Sequence, residues 1–577
     1  MATMTRKRWK VTPENSELQS RLSRELNIAP LTAQLLINRG LVDLDTASTF
    51  LSPDLRNLHD PFSLKGMEVA VERLVRALKE RERVVIYGDY DVDGITSTSL
   101  LYLFFREIGM EVDYYIPERL EEGYGLNCGA LKRLAESGAK LVVTTDSGIT
   151  SCDEVAYANS LNLDVIITDH HEAPAVPPPA VAIINPKQSG CALPFKGLAG
   201  VGVAFNLALA LRARLRDTGY FKEEAPNIKR YLDLVALGTV ADVVPLVDEN
   251  RVLVKFGLDE IARGHRKGIV ALRKVCGLMK SKVRSGHLGF QLAPRINAAG
   301  RLGRADRAVK LLTTDDEREA TTLANDLNRE NSARQEVEKD ICIEALAMAN
   351  NVGADGNTPL KRKGLVLASE GWHQGVIGIV ASRLVERYHR PTVMIAVEDG
   401  MGKGSARGIK GMHLLDTLKE CGALLEQCGG HKGAAGFTIK GENIDAFREE
   451  FTRLLDGRLT DEDIVPEISI DAVVSLDELD SKIVSEIEHM GPFGPQNAEP
   501  VLGAMNTNVV KADIVGNNHL KMRVKHEGSA WEAIGFGLGD HHPINGYGFD
   551  IAFSPFFDEW RGSRRLKLRV KDLHENS

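Results

Sequence analysis

The sequence predicts an α/β protein in which a parallel-sheet domain is joined by a long helix to a smaller α/β domain, with a small β-barrel or sandwich at the C-terminus. Three observations predict it. Short β-branched runs alternate with helical stretches between residues 84 and 245, as in a parallel sheet. Residues 315–350 are charged, rich in alanine and free of Pro and Gly, which favours one long helix. From about residue 464 onward, short β-rich runs alternate with Gly and Asn turns.

The composition is that of an ordinary globular chain with room for several domains. At 577 residues and a net charge of -8, it exceeds one typical domain, so we expect two to four. The seven cysteines are scattered without a C-x-x-C pair, and no apolar run follows residues 1–10, so we expect a cytoplasmic protein. The acidic total argues only weakly against nucleic-acid binding, which depends on local basic patches.

Acidic and histidine side chains follow four apolar runs of the first predicted domain. The runs are Val84–Tyr87, Leu141–Val143, Val165–Ile167 and Leu232–Val240, and the side chains are Asp89, Asp91, Asp93, Asp146, Asp169, His170, His171 and Asp242. We interpret each run as a buried strand. Ligands of an open parallel sheet bind beyond the carboxyl ends of its strands, where the strand order reverses. The sequence therefore predicts that these side chains meet at one edge of the sheet.

The predicted cluster indicates a metal centre. A single acid after a strand is more often a helix cap, but four such ends together disfavour that interpretation. Crowded carboxylates repel one another and need cations to be stable. Oxygen donors with one or two imidazoles favour Mg²⁺ or Mn²⁺ over zinc. The donors suffice for two ions, an arrangement that activates water for phosphoryl displacement, so we predict hydrolysis of a phosphate ester or anhydride.

A second D-H-H tripeptide, at Asp540, His541 and His542, provides an internal comparison. It lies between glycines and a proline, so we predict a surface loop there. The tripeptide alone is therefore weak evidence for a metal site, and the strand context of the first copy carries the prediction.

Two glycine-rich segments of the second α/β domain indicate phosphate binding. Ser405 and Arg407 lie in the predicted turn Gly402–Gly408, and His431 follows Gly430 in another. Such turns expose backbone N–H groups to anions, and a guanidinium can bind a phosphate through two hydrogen bonds. The alternative is that the glycines only serve tight turns between strands.

The C-terminal region contains the local positive charge that the total conceals. The basic residues are Arg561, Arg564, Arg565, Lys567, Arg569 and Lys571, and the aromatic residues beside them are Phe553, Phe556, Phe557 and Trp560. Cations interleaved with aromatic rings on strands suit a groove that follows phosphates and stacks bases. The alternative is an edge strand whose charges prevent aggregation.

Taken with these features, the chain resembles the DHH phosphoesterase superfamily, and within it the bacterial single-stranded-DNA exonucleases. The matching motifs are G-D-Y-D-V-D-G at 88–94, D-H-H at 169–171, E-R-L-E-E-G-Y-G-L at 118–126, L-A-G-V-G-V-A-F at 198–205, G-T-V-A-D-V-V-P-L at 238–246, P-R-I-N-A-A-G-R-L at 294–302, W-H-Q-G-V-I-G-I at 372–379, G-S-A-R at 404–407 and G-G-H-K-G-A-A-G at 429–436.

The resemblance implies a domain order and a set of functional residues. The domains would be an N-terminal extension packed on the DHH domain (1–60), the DHH domain (61–314), a connecting helix (315–350), a DHH-associated substrate-binding domain (351–460) and an oligonucleotide-binding (OB-like) barrel (461–577).

One metal would be held by Asp91 and Asp146, with Asp89 completing the site or holding a water, and the other by Asp93, Asp146, His170 and Asp242. His171 would face the scissile phosphate with Asp169 orienting it, so that the catalytic set is His171, Asp169 and Asp146. Phosphates would be bound by Arg119, Arg301, Ser405, Arg407, Gly430 and His431, and the barrel would hold the strand through Trp560, Arg564 and Arg565.

The activity that the resemblance implies is removal of mononucleotides from the 5′ end of single-stranded DNA, with two Mn²⁺ or Mg²⁺ ions, in recombination and repair. The expected partners are the DNA, a helicase and a single-strand-binding protein, and the expected state is a monomer. One alternative is a DHH hydrolase of short oligonucleotides, cyclic dinucleotides or pyrophosphate, but such substrates need no added barrel. Another is a replication scaffold without catalysis, which the complete set of candidate ligands disfavours.

Overall fold

The computed structural model describes residues 7–118, 122–123, 125–302, 305–352, 362–560 and 563–576. The strands are β1 (Arg8–Val11), β2 (Val84–Gly88), β3 (Val112–Tyr115), β4 (Leu141–Thr145), β5 (Asp164–Thr168), β6 (Ala182–Ile184), β7 (Leu365–Glu370), β8 (Thr392–Glu398), β9 (Met401–Arg407), β10 (Leu425–Gly430), β11 (Ala434–Lys440), β12 (Glu467–Ile470), β13 (Ala472–Val473), β14 (Leu502–Val515), β15 (His519–His526), β16 (Ser529–Gly535), β17 (Gly546–Trp560) and β18 (Ser563–Glu575). The helices are α1 (Ser16–Leu26), α2 (Pro30–Asn38), α3 (Leu44–Leu51), α4 (Met67–Glu80), α5 (Val92–Glu107), α6 (Cys128–Glu136), α7 (Cys152–Ser160), α8 (Gly200–Asp217), α9 (Leu232–Ala241), α10 (Asp248–Arg263), α11 (Lys267–Val275), α12 (Ser285–His287), α13 (Ala293–Leu302), α14 (Asp306–Thr313), α15 (Glu317–Val352), α16 (Ile377–Tyr388), α17 (Leu414–Glu420), α18 (Ile444–Arg458) and α19 (Ser481–His489).

The first sheet is parallel throughout and has the strand order β3-β2-β4-β5-β6. All five residues of β2 and of β4 are buried, because helices cover both faces of the sheet. The chain runs from β2 outward to β3 and then returns to β4 on the other side of β2. The strand order therefore reverses between β2 and β4, and a crevice for ligands opens there. The predicted α/β class is confirmed.

The prediction of a fourth strand over Leu232–Val240 is wrong, because these residues form helix α9. The helix is buried almost all round, so its sequence is apolar on every face and shows no helical period. A short apolar run of this kind does not distinguish a buried strand from a buried helix. Asp242 consequently reaches the site from the C-cap of a helix rather than from the end of a strand.

Helix α15 confirms the predicted long connection. Its 36 residues span about 54 Å at 1.5 Å per residue. Ala324, Leu327 and Ile341 are buried along it, whereas Val337 lies at the surface. Contacts between Cα atoms divide the chain within this helix: one compact unit comprises residues 1–40, 332–485 and 500–577, and the other comprises residues 41–331 and 486–499.

The second sheet has the order β10-β11-β9-β8-β7 and is mixed, with only β7 and β8 parallel. The predicted turn Gly402–Gly408 is wrong, since residues 401–407 form β9 near the middle of this sheet. The glycines serve packing instead. A Cβ added to Gly404 would lie 2.2 Å from the ring of Phe437, its partner on β11.

The C-terminal strands form the predicted barrel. Neighbours follow the order β13-β14-β15-β16-β18-β17, and an additional β14–β17 pairing closes the sheet. Strand β15 alternates buried and exposed side chains, as one wall of a barrel with an apolar interior requires.

The predicted N-terminal extension is divided between the two units. Strand β1 pairs in parallel with β12, and the Trp9 indole Nε1 donates a hydrogen bond of 2.8 Å to Asp572 on β18. Residues from Leu41 onward belong to the unit that contains the parallel sheet. The predicted domain boundaries stay a prediction. No helix in the described ranges combines the length and apolarity needed to span a bilayer.

Candidate metal centre and nucleic-acid interface

The candidate ligands gather at the carboxyl edge of the parallel sheet. Asp89 and Asp91 follow β2, Asp146 follows β4, and His170 follows β5. After β2 the chain turns directly into helix α5, whereas after β5 it continues through irregular residues to β6. Asp91 is the N-cap of α5, and its Oδ1 accepts hydrogen bonds from the backbone N–H of Asp93 and of Gly94.

Asp93 is held by backbone groups of another helix. Its Oδ2 accepts from the N–H of Gly200 at 2.6 Å and its Oδ1 accepts from the N–H of Val201 at 2.8 Å. Both donors belong to the first turn of α8, where free N–H groups and the helix dipole favour a negative charge. The carboxylate is 1% exposed, so these two amides replace water as its hydrogen-bond donors.

Asp146 occupies the strained backbone position of the site. Its φ of 60° lies in the left-handed region, which non-glycine residues adopt rarely and mostly where the surroundings enforce it. Its side chain packs so closely on α8 that a Cβ added to Gly200 would lie 2.8 Å from Asp146 Oδ1. Gly200 therefore leaves the room that the carboxylate occupies.

The two histidines after β5 have different environments. His171 Nδ1 lies 2.7 Å from Asp169 Oδ1, and Asp169 also accepts from the backbone N–H groups of His170, His171 and Ile149. The His171 ring is half-exposed. The His170 ring is buried and its Nε2 lies 3.1 Å from Asp146 Oδ1 and 3.5 Å from Asp242 Oδ2.

The ligand atoms fall into overlapping groups that could each hold an ion. Within the described residues, such groups are Asp89, Asp91 and Asp146; Asp93, His170 and Asp242; and Asp146, His170 and His171, with the atoms of each within 4.8 Å of one another. His170 Nε2 and Asp242 Oδ2 are buried and find no hydrogen-bond donor or acceptor in the described part of the chain. A lone pair and a carboxylate oxygen left in this way fit a divalent cation.

The electrostatics of the cluster support the same conclusion. Burial, together with the charges of neighbouring aspartates, raises the pKa of Asp93 to about 7 and the pKa of Asp242 to about 9, and raises the pKa of Asp146 well above its usual value. Burial lowers the pKa of His170 to about 4, so the imidazole is neutral and its Nε2 can ligate a metal. For His171, burial alone would lower the pKa, but the hydrogen bond that the ring donates to Asp169 and the charges of Asp169, Asp93 and Asp91 together outweigh burial and raise the pKa.

Sequence reasoning missed the groups that hold the ligands in place. They are the N–H groups of Gly200 and Val201, the close approach of Gly238 to Asp93, and the hydrogen bond of 3.0 Å between the hydroxyls of Thr98 and Thr145. The signals were present in L-A-G-V-G-V-A-F and in G-T-V-A-D. The role of the glycines in these motifs, which is to allow close approach, can be recognised only once α8 and α9 are known to pack against the acidic turns.

The second α/β domain brings Arg407 and Ser405 together with a helix N-terminus. Arg407 Nη1 donates to Ser405 Oγ at 3.2 Å, and a Cβ added to Gly378 would lie 2.9 Å from Arg407 Nη2. Gly378 lies in the first turn of α16. Burial lowers the pKa of Arg407, and no carboxylate pairs with it among the described residues. A half-buried guanidinium beside the first turn of a helix is suited to an anion, because the helix dipole favours negative charge there.

Gly430 and His431 lie at the end of β10, on the hairpin whose other strand, β11, pairs with β9. Gly430 has a φ of 144°, and a Cβ there would lie 2.5 Å from the Ala434 oxygen, so the turn requires glycine. The His431 side chain is exposed. Ala434 is the register partner of Arg407, which places this turn close to the backbone of Arg407.

The barrel corrects part of the prediction about aromatic residues. Phe553 and Phe557 are 0% and 6% exposed, so they belong to the core and cannot stack on bases. Arg564 and Arg565 are exposed on β18, with the Arg564 guanidinium 3.5 Å from the centroid of the Phe557 ring. Lys567 pairs with Asp558 and Glu532, so its charge is largely compensated.

A row of cations that the sequence prediction missed lies on the outer face of β15. Lys521, Arg523 and Lys525 are exposed at alternate positions of that strand. The acids opposite them in register are Asp513, which pairs with Lys511 at 2.9 Å, and Glu532, which pairs with Lys567 at 3.1 Å. The row therefore keeps a net positive charge.

Some predicted positions fall outside the described parts. Arg119 is not among the described residues, nor are the side chains of Arg301 and Trp560. The second D-H-H tripeptide lies outside the strands as expected, in a 3₁₀ turn at Gly539–His541 followed by irregular chain. Asp540 and His541 line a cavity of about 840 Å³, yet no group of candidate metal ligands forms there among the described residues.

Comparisons with known proteins agree with this geometry. The model of the "DHH family, N-terminal domain" matches residues 83–239, that of the "DHHA1 domain" matches 361–457, and that of the "RecJ OB domain" matches 470–572. The parallel-sheet domain is thus a domain of the DHH family.

Matches to individual proteins over nearly the whole chain indicate which DHH proteins it resembles most. Single-stranded-DNA-specific exonuclease RecJ of Escherichia coli is 38% identical over 95% of this chain and 96% of its own length. The RecJ of Bacillus subtilis is 38% identical over 98% of this chain and 70% of its own. The crystal structure of Thermus thermophilus RecJ with Mn²⁺ superposes with a TM-score of 0.84 at 29% identity, covering 99% of this chain and 80% of that one.

The chain belongs to the RecJ family of single-stranded-DNA-specific exonucleases. It is a metal-dependent hydrolase that acts on single-stranded DNA, and its cofactor is a divalent ion of the kind found in the RecJ structures, Mn²⁺ or Mg²⁺.

Replacing Gly238 by Ala should weaken metal binding about tenfold or more, because supports of ligands have effects of that size. The added Cβ would lie 2.3 Å from Thr96 Oγ1 and 2.9 Å from Asp93 Oδ1, so Asp93 must move. Titration with Mn²⁺ by calorimetry measures the change. The matched control is Gly457→Ala in helix α18, where the new Cβ meets open space. Unchanged affinity in Gly238→Ala would contradict the role given to this close contact.

Mg²⁺ should raise the Tm, and the increase should grow with pH. In the metal-free fold, the pKa values of Asp93 and Asp242 are about 7 and 9, whereas an unfolded aspartate titrates near about 3.9. The folded state therefore binds more protons than the unfolded state between these values, and it loses stability as the pH rises. Bound cations remove this loss. Thermal unfolding with EDTA or Mg²⁺ at about pH 6 and about pH 9 tests it, and a pH-independent shift argues against metal at these carboxylates.

Proposed function

We propose that this enzyme degrades single-stranded DNA from the 5′ end to mononucleotides by two-metal hydrolysis, in DNA recombination and repair. The observation that carries the proposal is the position of Asp146. Its carboxylate belongs to the group with Asp89 and Asp91, and its Oδ1 lies 3.1 Å from His170 of the second group. One carboxylate shared by two sets of ligands is the arrangement that holds two ions about 3.5–4 Å apart.

The ligands would be divided as the sequence suggested. Asp91, Asp146 and Asp89 would hold one ion, and Asp93, Asp146, His170 and Asp242 the other. When bound, the two ions supply an acidic water and neutralise charge on the phosphate. His171, with its pKa raised by Asp169, would donate a hydrogen bond to a phosphate oxygen, while Asp169 keeps the ring oriented. The catalytic set would then be Asp146, Asp169 and His171.

Ser405 and Arg407 would bind the 5′-terminal phosphate. The support is the half-buried guanidinium beside the first turn of α16, which has no carboxylate partner among the described residues. Gly430 and His431 would line the same pocket, since their hairpin is in register with β9. Arg119 and Arg301 remain proposed phosphate contacts from sequence alone.

The strand would cross the barrel over the outer face of β15. Lys521, Arg523 and Lys525 alternate along it at the spacing of exposed strand positions, about 6.6 Å apart, which suits the phosphates of an extended strand. Arg564, Arg565 and the backbone near Trp560 would extend this surface. A helicase and a single-strand-binding protein would supply the substrate to a cytoplasmic monomer.

The first test removes the shared carboxylate of Asp146 and uses a carboxylate of the second D-H-H copy as the control. Asp146→Asn should lower hydrolysis roughly 1000-fold or more, since the shared ligand supports several kcal/mol of catalysis. Binding of single-stranded DNA should be retained. The control Asp540→Asn changes the same residue type at the copy without candidate ligand partners and should keep full activity. DNA labelled at the 5′ or the 3′ end identifies the first product. Retained Mn²⁺-dependent activity in Asp146→Asn, or release of the 3′ label first, would contradict the proposal.

The second test concerns the row of cations on β15. The triple variant Lys521→Glu, Arg523→Glu, Lys525→Glu should bind long single strands more weakly. The slope of the logarithm of its binding constant against the logarithm of the salt concentration should become less steep by about 2, because three phosphate contacts are lost. Cleavage of very short oligonucleotides should change little. A control with the same charge change, Arg21→Glu, Arg24→Glu, Lys419→Glu, uses exposed helical positions. Equal salt slopes for the two triple variants would exclude β15 as the path.

A further inference from the structure

Phe290 is exposed in a way that folding does not explain. Its side chain is 86% accessible, more than any other large apolar side chain in the described ranges. Aromatic rings contribute most to stability when they are buried, so this ring contributes little to the stability of the fold. Val243, the residue after Asp242, is also exposed, at 68%, so apolar surface is present beside the metal ligands as well.

The backbone around Phe290 departs from the α-helix for a reason that the sequence contains. Residues Leu288–Leu292 form a π-helical turn, closed by a hydrogen bond from the Ala293 N–H to the Leu288 oxygen. Pro294 cannot donate to the carbonyl of Phe290, four residues earlier, and its ring crowds that carbonyl. Widening the turn relieves the crowding. Single π turns of this kind are frequent at functional sites.

The segment that carries Phe290 packs against elements that hold the metal ligands. A Cβ added to Gly289 would lie 3.5 Å from Val240, two residues before Asp242. At the other end of the following helix, α13, a Cβ added to Gly300 would lie 2.7 Å from the oxygen of Tyr90, which stands between Asp89 and Asp91. The segment therefore runs from the ligand at the end of α9 to the ligands after β2.

Hydrogen bonds fix the backbone of the segment around the π turn. Arg295 Nη1 donates to the Gln291 oxygen at 2.6 Å, a carbonyl of the π turn, and its Nε donates to Asn328 at 2.9 Å. Before the turn, the Ser285 hydroxyl donates to the Phe493 oxygen at 2.7 Å. Phe290 is thus presented on a fixed backbone rather than on a loose loop.

We propose that the Phe290 ring is a platform on which a base of the single-stranded substrate stacks next to the metal centre. The inference rests on the proposed metal site. A ring face accepts every base, as a nuclease without sequence preference requires. Paired bases of a duplex already stack on their neighbours and offer no free face, so the platform also favours single strands over duplex.

Fluorescence of Phe290→Trp tests the contact directly. In EDTA, which prevents digestion, oligothymidylate should quench the new indole, and an abasic site should remove the quenching only at one fixed distance from the strand end. The control is Tyr220→Trp, because Tyr220 donates to the Ile108 oxygen at the C-terminal end of α5, opposite the end that carries Asp91. Quenching of Phe290→Trp no greater than that of the control, or quenching unaffected by abasic sites, would overturn the proposal.

Kinetics separate this proposal from that of the metal site. Phe290→Ala should raise KM for single-stranded DNA roughly tenfold, the usual cost of one lost stacking contact, with a smaller effect on kcat and none on Mn²⁺ affinity. Phe290→Trp should restore KM, whereas Phe290→Leu should not. An unchanged KM in Phe290→Ala overturns the platform while leaving the metal site intact. Activity retained in Asp146→Asn overturns the metal site instead.

Discussion

The structure depends on one electrostatic constraint, the mutual repulsion of carboxylates buried at the edge of the parallel sheet. Two unit charges 4 Å apart repel by about 4 kcal/mol at an effective dielectric constant of 20, and a whole domain is stable by only about 5–15 kcal/mol. Asp93, Asp146 and Asp242 cannot all be charged without compensation, so they hold protons or cations. The pKa values raised by burial express the same requirement, and divalent ions meet it at neutral pH.

The surrounding fold makes this crowding possible. Helix α8 directs two N–H groups at Asp93, and the missing side chains of Gly200 and Gly238 let α8 and α9 approach the acids closely. Asp146 adopts a left-handed backbone to place its carboxylate between the two groups of ligands. The metal centre is therefore a property of helix packing on the sheet, as much as of the acidic side chains themselves.

Sequence patterns predicted that the acids lie at the ends of β2, β4 and β5. A short β-branched run that is followed by polar residues and flanked by helices is typical of a buried strand. They failed for Leu232–Val240, since a helix buried on all sides has no amphipathic period to reveal it. They also failed for Gly402–Gly408, where glycine makes room for Phe437 rather than for a turn. Both errors concern residues whose role is set by a neighbour distant in sequence.

The same limit applies to the nucleic-acid surface. The run of basic residues near the C-terminus was visible by composition, but the acids that compensate Lys567 come from β16 and β17, and only strand register reveals them. The cations of β15 alternate with core residues and form a row only because the strand is part of a barrel. The sequence does not reveal that Phe290 is exposed, because one aromatic residue in an apolar stretch predicts burial.

The proposed metal centre holds two cations that share Asp146. Anomalous diffraction at the manganese edge, from crystals of the enzyme grown with Mn²⁺, would locate them. We expect two peaks about 3.5–4 Å apart, both in contact with the Asp146 carboxylate. Asp89 or Asp91 should complete one site, and Asp93, His170 and Asp242 the other. A single peak, or two peaks that do not share Asp146, would contradict it.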